Sequence, residues 1–306
     1  MVFCYASALH FNRKIGNFMK DMQHVLLYDV DNDAESRLIF LIALAGGITT
    51  IRSSQPHGAS LERENGVLEL VCASRKTEIW TVELPGLATE NQLRRHGFTV
   101  VIIDHHTYSN LDRVHDEHGV RRKSSLEQFL ALTDITDDDL RSWNFDPRLV
   151  LGIGVMDDRY THGLRSEGFT PEEIRRVLAY REHLDRQITH EYDLIAKTAR
   201  LVWNNRHTQD GYIICNSTSN LRVSYAVCNR SIEDALEEHS MIIADRGGRQ
   251  IYANNISPAL IPKLEAAFAG HKTFTYGSGR CWGIDNDVTD LPKITIEDVF
   301  TVLTQA

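Results

Sequence analysis

What most constrains this chain is the alternation, through its first half, of short β-rich apolar runs with helical stretches. The runs cover residues 25–28, 48–52, 67–72, 79–83, 100–103 and 149–155. Strands that alternate with helices build βαβ units, and these assemble into a mainly parallel sheet covered on both faces. Between the runs, residues 34–45 are apolar almost all round and stop at Gly46-Gly47. That pattern predicts a buried helix with a glycine stop. Residues 89–96 end at Gly97 in the same way, and residues 124–132 carry Leu126, Phe129, Leu130 and Leu132 at helical spacing.

A long helical pattern opens at Thr170-Pro171-Glu172-Glu173. Thr170 suits the cap, Pro171 the first turn and Glu173 the capping-box acid. The pattern runs towards Val202 with a break expected near 187–189, and reads as a connector. Strands then resume at 212–215, 222–227, 241–244 and 250–253, with helices at 232–238 and 261–268. The expected architecture is α/β throughout: a first domain with a mainly parallel sheet over 1–170, a helical connector over 171–206, and a smaller α/β domain over 207–306. A chain of 306 residues is long enough for two such cores.

The longest apolar run, residues 38–45, falls far short of the ~18 residues of a membrane span, so no membrane partner is expected. Met1-Val2-Phe3-Cys4 lacks the basic and apolar segments of a signal peptide. The five cysteines are dispersed and form no CxxC pair. They argue against a disulfide framework or a zinc–thiolate site and point to reduced thiols in the cytoplasm. A formal net charge of -9 argues against long duplex DNA, which needs a basic track, and leaves room for a small phosphorylated ligand.

Three clusters of acidic or imidazole side chains stand just after predicted strands. They are Asp29-Val30-Asp31-Asn32-Asp33, Asp104-His105-His106 and Asp157-Asp158. In an open α/β sheet, ligands gather at the carboxyl ends of the strands, so clusters far apart in sequence can converge. Carboxylates with imidazoles suit a first-row divalent cation such as Mn²⁺, and two ions ~3.5–4 Å apart clamp a phosphate and activate water. Taken singly, the first and third clusters read as solvated turns, because Asp favours turns and helix caps. The middle cluster has no evident role in folding. In the second domain, Gly277-Ser278-Gly279-Arg280 reads as a turn between strands or as a phosphate grip, since glycines admit close backbone approach and Arg binds phosphate bidentately.

Taken in order, these clusters resemble the motifs of the Asp-His-His (DHH) phosphoesterase superfamily over roughly residues 23–160. Val101-Ile102-Ile103-Asp104-His105-His106 is similar to its third motif. Gly152-Ile153-Gly154-Val155-Met156-Asp157-Asp158 is similar to its fourth, in which an apolar strand delivers a metal-binding Asp, here Asp158. Glu83, in Thr81-Val82-Glu83-Leu84-Pro85-Gly86, falls where the second motif has Asp. The first motif fits two registers, Asp29/Asp31 or Asp31/Asp33, and the ligand that precedes it in the family is replaced by Leu27 or Val25. Gly277–Arg280 looks like a variant of the Gly-Gly-His loop of the C-terminal substrate-binding (DHHA1) domain.

The resemblance implies hydrolysis of a phosphodiester or phosphoanhydride by metal-activated water. It implies two Mn²⁺ ions, with Mg²⁺ as second choice, held among Asp29, Asp31, Asp33, Glu83, Asp104, His105 and Asp158. Asp104, His105 and His106 carry the chemistry, one imidazole on the metal and the other orienting or protonating the leaving group. Gly277, Ser278, Gly279 and Arg280 hold the substrate. With the acidic charge balance, the implied substrate is a short oligonucleotide or (cyclic) dinucleotide, followed by polyphosphate or pyrophosphate. The changes at positions 27 and 83 also fit a nucleotide-binding regulator with weakened catalysis. An oligomer is compatible with the sequence.

Overall fold

A computed structural model describes residues 25–29, 32–53, 55, 59–108, 111–235, 239–277, 279–287 and 291–305. The chain divides into two compact units, one of Met1–Asp158 with Ala179–Ile188 and one of Arg159–Leu178 with Thr189–Ala306.

In the first unit, β1 (Val25–Asp29), β2 (Thr49–Arg52), β3 (Glu78–Val82) and β4 (Thr99–Ile103) form a parallel sheet in the order β2-β1-β3-β4. Every residue of β1 is buried, as in a strand covered on both faces. Leu26, Tyr28 and Ile79 pack with Val67, Val71 and Leu93 in one core cluster. Trp80 meets Phe129 edge-on at 6.3 Å between ring centroids. The register aligns Asp29 with Val82 and Val82 with Ile103. Asp29, Glu83 and Asp104 therefore stand along one edge, at the carboxyl ends of three adjacent strands. From β1 the chain leads to β2 on one side while β3 lies on the other, so β1 and β3 flank a switch point where such sheets open a crevice.

The helix α1 (Ala34–Ala45) starts at a capping box, in which the Asp33 carboxylate accepts the Ser36 N–H at 2.8 Å and Ser36 Oγ accepts the Asp33 N–H at 3.3 Å. It is followed along the chain by α2 (Val67–Ser74), α3 (Leu87–Arg95), a short hairpin of β5 (Thr107–Tyr108) and β6 (Leu111–Asp112), α4 (Ser125–Thr133), α5 (Asp137–Ser142), α6 (Pro147–Ser166) and α7 (Pro171–Ile188). In this half of the chain two expected strands are helices. Residues 67–72 form α2, which buries Val67 and Val71, one turn apart on a single face. Residues 149–155 belong to α6, which has Pro147 in its first turn and a break in helical geometry at Tyr160. The expected helix break near 187–189 falls between α7 and α8 (Tyr192–Asn204).

The second unit holds a mixed sheet of β7 (His207–Gln209), β8 (Tyr212–Asn216), β9 (Met241–Asp245), β10 (Gln250–Asn254), β11 (Lys272–Tyr276) and β12 (Cys281–Asp285), ordered β11-β12-β10-β9-β8-β7. Its pairings are antiparallel except β8 with β9. Alternation along the strands feeds two cores. Ile214, Ile242, Ile251 and Trp282 pack with α10 (Ile261–Ala267) and α11 (Ile296–Thr304). Ile213, Cys215, Met241 and Ile243 pack with α8 and α9 (Ser224–Ala235). Residues 222–227, expected as a strand, open α9 instead, because buried Asp245 accepts the N–H groups of Val223 and Ser224 at 2.9–3.1 Å. No helix of the described residues is long and apolar enough to cross a membrane.

Candidate metal centre

The carboxyl edge of the parallel sheet delivers Glu83 first. Its backbone lies in the left-handed region at φ 51, a conformation that costs a non-glycine residue energy and concentrates at functional sites. The Glu83 N–H donates to Ile103 O at 3.0 Å, which ties the end of β3 to β4. Its Oε1 accepts from Ser125 Oγ, at the start of α4, at 2.9 Å. The same oxygen stands 3.4 Å from His105 Nε2 and 3.9 Å from His106 Nδ1. The two imidazoles follow β4, with ring centroids 4.3 Å apart.

Helix α6 closes the constellation. Gly154 lets it pass the start of α4, for a Cβ there would stand 2.5 Å from Ser124 Oγ. One turn further on, Asp157 and Asp158 bracket the His105 ring. Asp157 Oδ2 lies 3.2 Å from Nε2, and Asp158 Oδ1 lies 3.8 Å from Nδ1. Glu83, His105, His106 and Asp157 each offer a ligand atom, and these atoms all lie within 4.8 Å of one another. Buried Glu35, in the first turn of α1, adds Oε2 at 3.6 Å from His105 Nε2. Arg181 of α7 stands behind Asp157, with Nη2 3.9 Å from Oδ1.

These groups perturb one another strongly. Burial and repulsion from Glu83 and Asp157 push the Asp33 carboxyl up to about 7. Burial and the charge of Asp157 raise Glu35 well above the usual carboxylate range. Burial opposes the charged forms of Glu83 and Asp157 too, but the neighbouring imidazoles outweigh it and hold both below their ordinary values. Burial would also lower His105, yet the carboxylates of Asp157, Asp158, Glu83 and Glu35 raise it well above the ordinary value. For His106, burial is outweighed by the charge of Glu83 and the hydrogen bond to Asp104, which lift it to about 9. Such crowding of acidic groups around two imidazoles is what a divalent cation relieves. The donor set of carboxylate oxygen and imidazole nitrogen fits a first-row ion, and His105 Nε2 makes no hydrogen bond despite its three carboxylate neighbours.

The remaining sequence-based candidates take distinct places. Asp104 is buried and accepts both the His106 N–H and its Nδ1–H at Oδ1, each at 3.1 Å, so it orients that ring. Asp158 binds Arg121 Nη2 at 2.5 Å. Asp29 is fully buried at the end of β1, and its carbonyl accepts the Ser53 N–H at 2.8 Å. Asp33 caps α1. Asp31 and Ser278 lie outside the described residues. Gly277 and Gly279, at φ 56 and 75, shape the turn between β11 and β12. Arg280 donates to Asn255 Oδ1 at 2.8 and 3.2 Å. The sequence points to Asp158 rather than to its neighbour Asp157, and carries no local signal for Glu35 or Arg181. Helical spacing from the apolar face of α6 was the signal for Asp157.

No family model and no curated protein matches the chain. Among solved structures it is similar to RecJ from Thermus thermophilus in complex with Mn²⁺, at 13% identity and TM-score 0.43, over 89% of this chain and 51% of that one. The chain thus spans about half the length of that RecJ. It is also similar to the DHH domain of a member of a ribosomal protein family, at 10% identity and TM-score 0.48, over 96% of this chain and 89% of that one. A third likeness, to exonuclease RecJ bound to manganese, has 13% identity and TM-score 0.39 over 94% of this chain and 97% of that one.

Proposed function

We propose that this chain is a metal-dependent phosphoesterase of the Asp-His-His superfamily that hydrolyses a short oligonucleotide or a (cyclic) dinucleotide. One observation carries the reading: Glu83, His105, His106 and Asp157, from three separate chain segments, converge within 4.8 Å at the carboxyl edge of the parallel sheet. Glu83, His105 and Asp157 would hold the ion, with Asp29, Asp31, Asp33, Asp104 and Asp158 as the further acidic residues from which a second site would be drawn. Mn²⁺ suits the mixed oxygen and nitrogen donors, and Mg²⁺ ranks second. When bound, such an ion polarises a phosphoryl oxygen and lowers the pKa of water.

The protein's own groups divide the remaining work. His105 is almost wholly buried, which suits a ligand, whereas the His106 side chain is 42% exposed and can reach a substrate. Held by Asp104 at Nδ1, His106 is oriented to pass a proton to the leaving oxygen. In the second unit, Gly277, Ser278, Gly279 and Arg280 would grip a phosphate that is not the scissile one.

The test is a hydrolysis panel of dinucleotides, cyclic dinucleotides, short oligonucleotides, pyrophosphate and polyphosphate, run in chelator and after Mn²⁺ is restored. Activity should vanish in chelator and return with Mn²⁺; full activity in excess chelator would sink the metal reading. A second reading, a nucleotide-binding regulator, is favoured by Leu27, a fully buried apolar side chain near the metal edge. Calorimetric binding of a dinucleotide with no turnover on the whole panel would select it.

A further inference from the structure

Glu35 occupies a position that its role in the fold does not account for. It lies in the first turn of α1, where an acidic residue favours the helix dipole. Yet its side chain is wholly buried rather than solvated. One carboxylate oxygen, Oε1, accepts the Leu126 N–H at the start of α4 at 2.9 Å. The other, Oε2, has no hydrogen-bond partner, and its near neighbour is His105 Nε2 at 3.6 Å. That nitrogen also lacks a hydrogen bond. A wholly buried carboxylate oxygen with no hydrogen bond, 3.6 Å from an imidazole nitrogen that two further carboxylates already crowd, is costly unless a cation joins the group.

The spacings indicate what that group is. Around His105 Nε2 stand Asp157 Oδ2 at 3.2 Å, Glu83 Oε1 at 3.4 Å and Glu35 Oε2 at 3.6 Å. Ligand atoms each ~2.0–2.2 Å from one first-row ion stand roughly 3–3.5 Å apart when they are neighbours around it. The three carboxylate oxygens are therefore separated from the imidazole much as neighbouring ligands are. A metal-binding carboxylate is commonly steadied by a hydrogen bond to its other oxygen, and Leu126 N–H does this for Glu35.

We propose that Glu35 is a further protein ligand of the divalent-metal centre, with Oε2 directed to the ion and Oε1 held by the Leu126 N–H. The proposal rests on the metal reading of the Glu83–His105–His106–Asp157 group. It makes α1 a wall of the centre and gives the ion one more negative charge than the strand-end clusters provide, which favours a hard divalent cation over a neutral ligand.

The test uses the whole chain, stripped with chelator and titrated with MnCl₂ by calorimetry, with thermal unfolding followed in parallel. Glu35→Gln keeps an oxygen to accept from Leu126 and removes the charge. It should bind Mn²⁺ about 10–100-fold more weakly and lose most of the Mn²⁺-induced rise in Tm, while its Tm in chelator is no lower than that of the parent. Glu35→Asp, which withdraws the carboxylate by one methylene, should also bind Mn²⁺ more weakly. Parental affinity in Glu35→Gln overturns the proposal and leaves Glu35 as an anchor for α4. If Glu35→Gln does not fold, Glu35→Asp decides by the same comparison, and unfolding of both variants in chelator likewise overturns it. Absence of Mn²⁺ binding by the parent chain removes the metal reading itself, whereas parental binding with an unaffected Glu35→Gln removes only the role of Glu35.

Discussion

The titrating groups of the centre make a prediction about stability that needs no substrate. Asp33 rises from 3.8 to about 7, His106 from 6.5 to about 9, and Glu35 and His105 also lie well above their ordinary values. A folded-state pKa above the unfolded one means that the native protein binds more protons between the two values. Unfolding free energy then falls as pH rises through the folded value. For His106 the contribution is complete below about 6.5 and is lost through about 9, and for Asp33 it is lost through about 7. Glu83, Asp157 and Asp158 are shifted down, so their contributions disappear only in acid, outside this window. At 1.36 kcal/mol per unit, the His106 shift is worth about 3 kcal/mol at most, and solvent screening of a side chain 42% exposed reduces that to about 1 kcal/mol. The buried groups share their causes and do not add independently. We take about 2 kcal/mol between pH 6 and 9, or a fall in Tm of roughly 4–8 °C, for the chelated protein. Saturating Mn²⁺ should act the other way, because its ligands must be deprotonated, so the metal-induced rise in Tm should grow over the same range. Calorimetric scans at half-unit steps in pH, with chelator or with Mn²⁺, measure both trends, and His106→Asn should flatten the upper part of the chelated curve. A chelated Tm that is level or rising from pH 6 to 9 would refute this arrangement of charges.

Three further outcomes follow from particular contacts. Asp157→Asn should abolish the Mn²⁺-induced rise in Tm and lower turnover by orders of magnitude, while Asp158→Asn, whose carboxylate carries Arg121, should keep most of that rise; the opposite ranking would move the ligand to Asp158. Gly86→Ala places a Cβ 2.6 Å from Leu61 Cβ and 3.1 Å from the Glu62 backbone nitrogen, so urea unfolding should show a loss of about 1–3 kcal/mol. Leu61→Ala should not rescue it, since the clashing Cβ remains. Arg280→Ala should raise KM roughly tenfold to a hundredfold with a smaller loss of turnover, and Arg280→Lys should restore only part of it, as steady-state kinetics on the best substrate will show.

Elements with one clear period were legible in the sequence. β1, β3 and β4 stand within a residue of their expected bounds, as does the α1 helix with its stop at Gly46. Residues 67–72 and 149–155 read as strands because each is a short run rich in Val, Ile or Leu, and 222–227 because Val, Tyr and Val recur in it, patterns that periodicity alone cannot assign. Features outside the runs decided them. Gly66, at φ 68, opens α2, and Pro147 stands in the first turn of α6. The start of α9 is set by Asp245, more than twenty residues away in sequence, through its bonds to Val223 and Ser224. A long-range cap of this kind leaves no local trace.

The same misassignment explains why the candidate site was only partly legible. The residues that end strands, Asp29, Glu83 and Asp104-His105-His106, lie along the expected edge, because parallel register and period-two alternation fix where a strand's last residue goes. A strand through 149–155 would send Asp157 and Asp158 to opposite faces and permit only a choice between them. On a helix they lie about 100° apart, so both can flank one ring. That is how they stand here, with Asp157 at His105 Nε2 and Asp158 at Nδ1. The partners then separate their tasks. Arg121 draws Asp158 to a charge at the surface, while Arg181 stands behind Asp157 and leaves Oδ2 facing Nε2. Glu35 was invisible for a related reason: a glutamate in the first turn of a capped helix is ordinarily a solvated dipole partner. Only the approach of α4, through the Leu126 N–H, turns it inward to face His105.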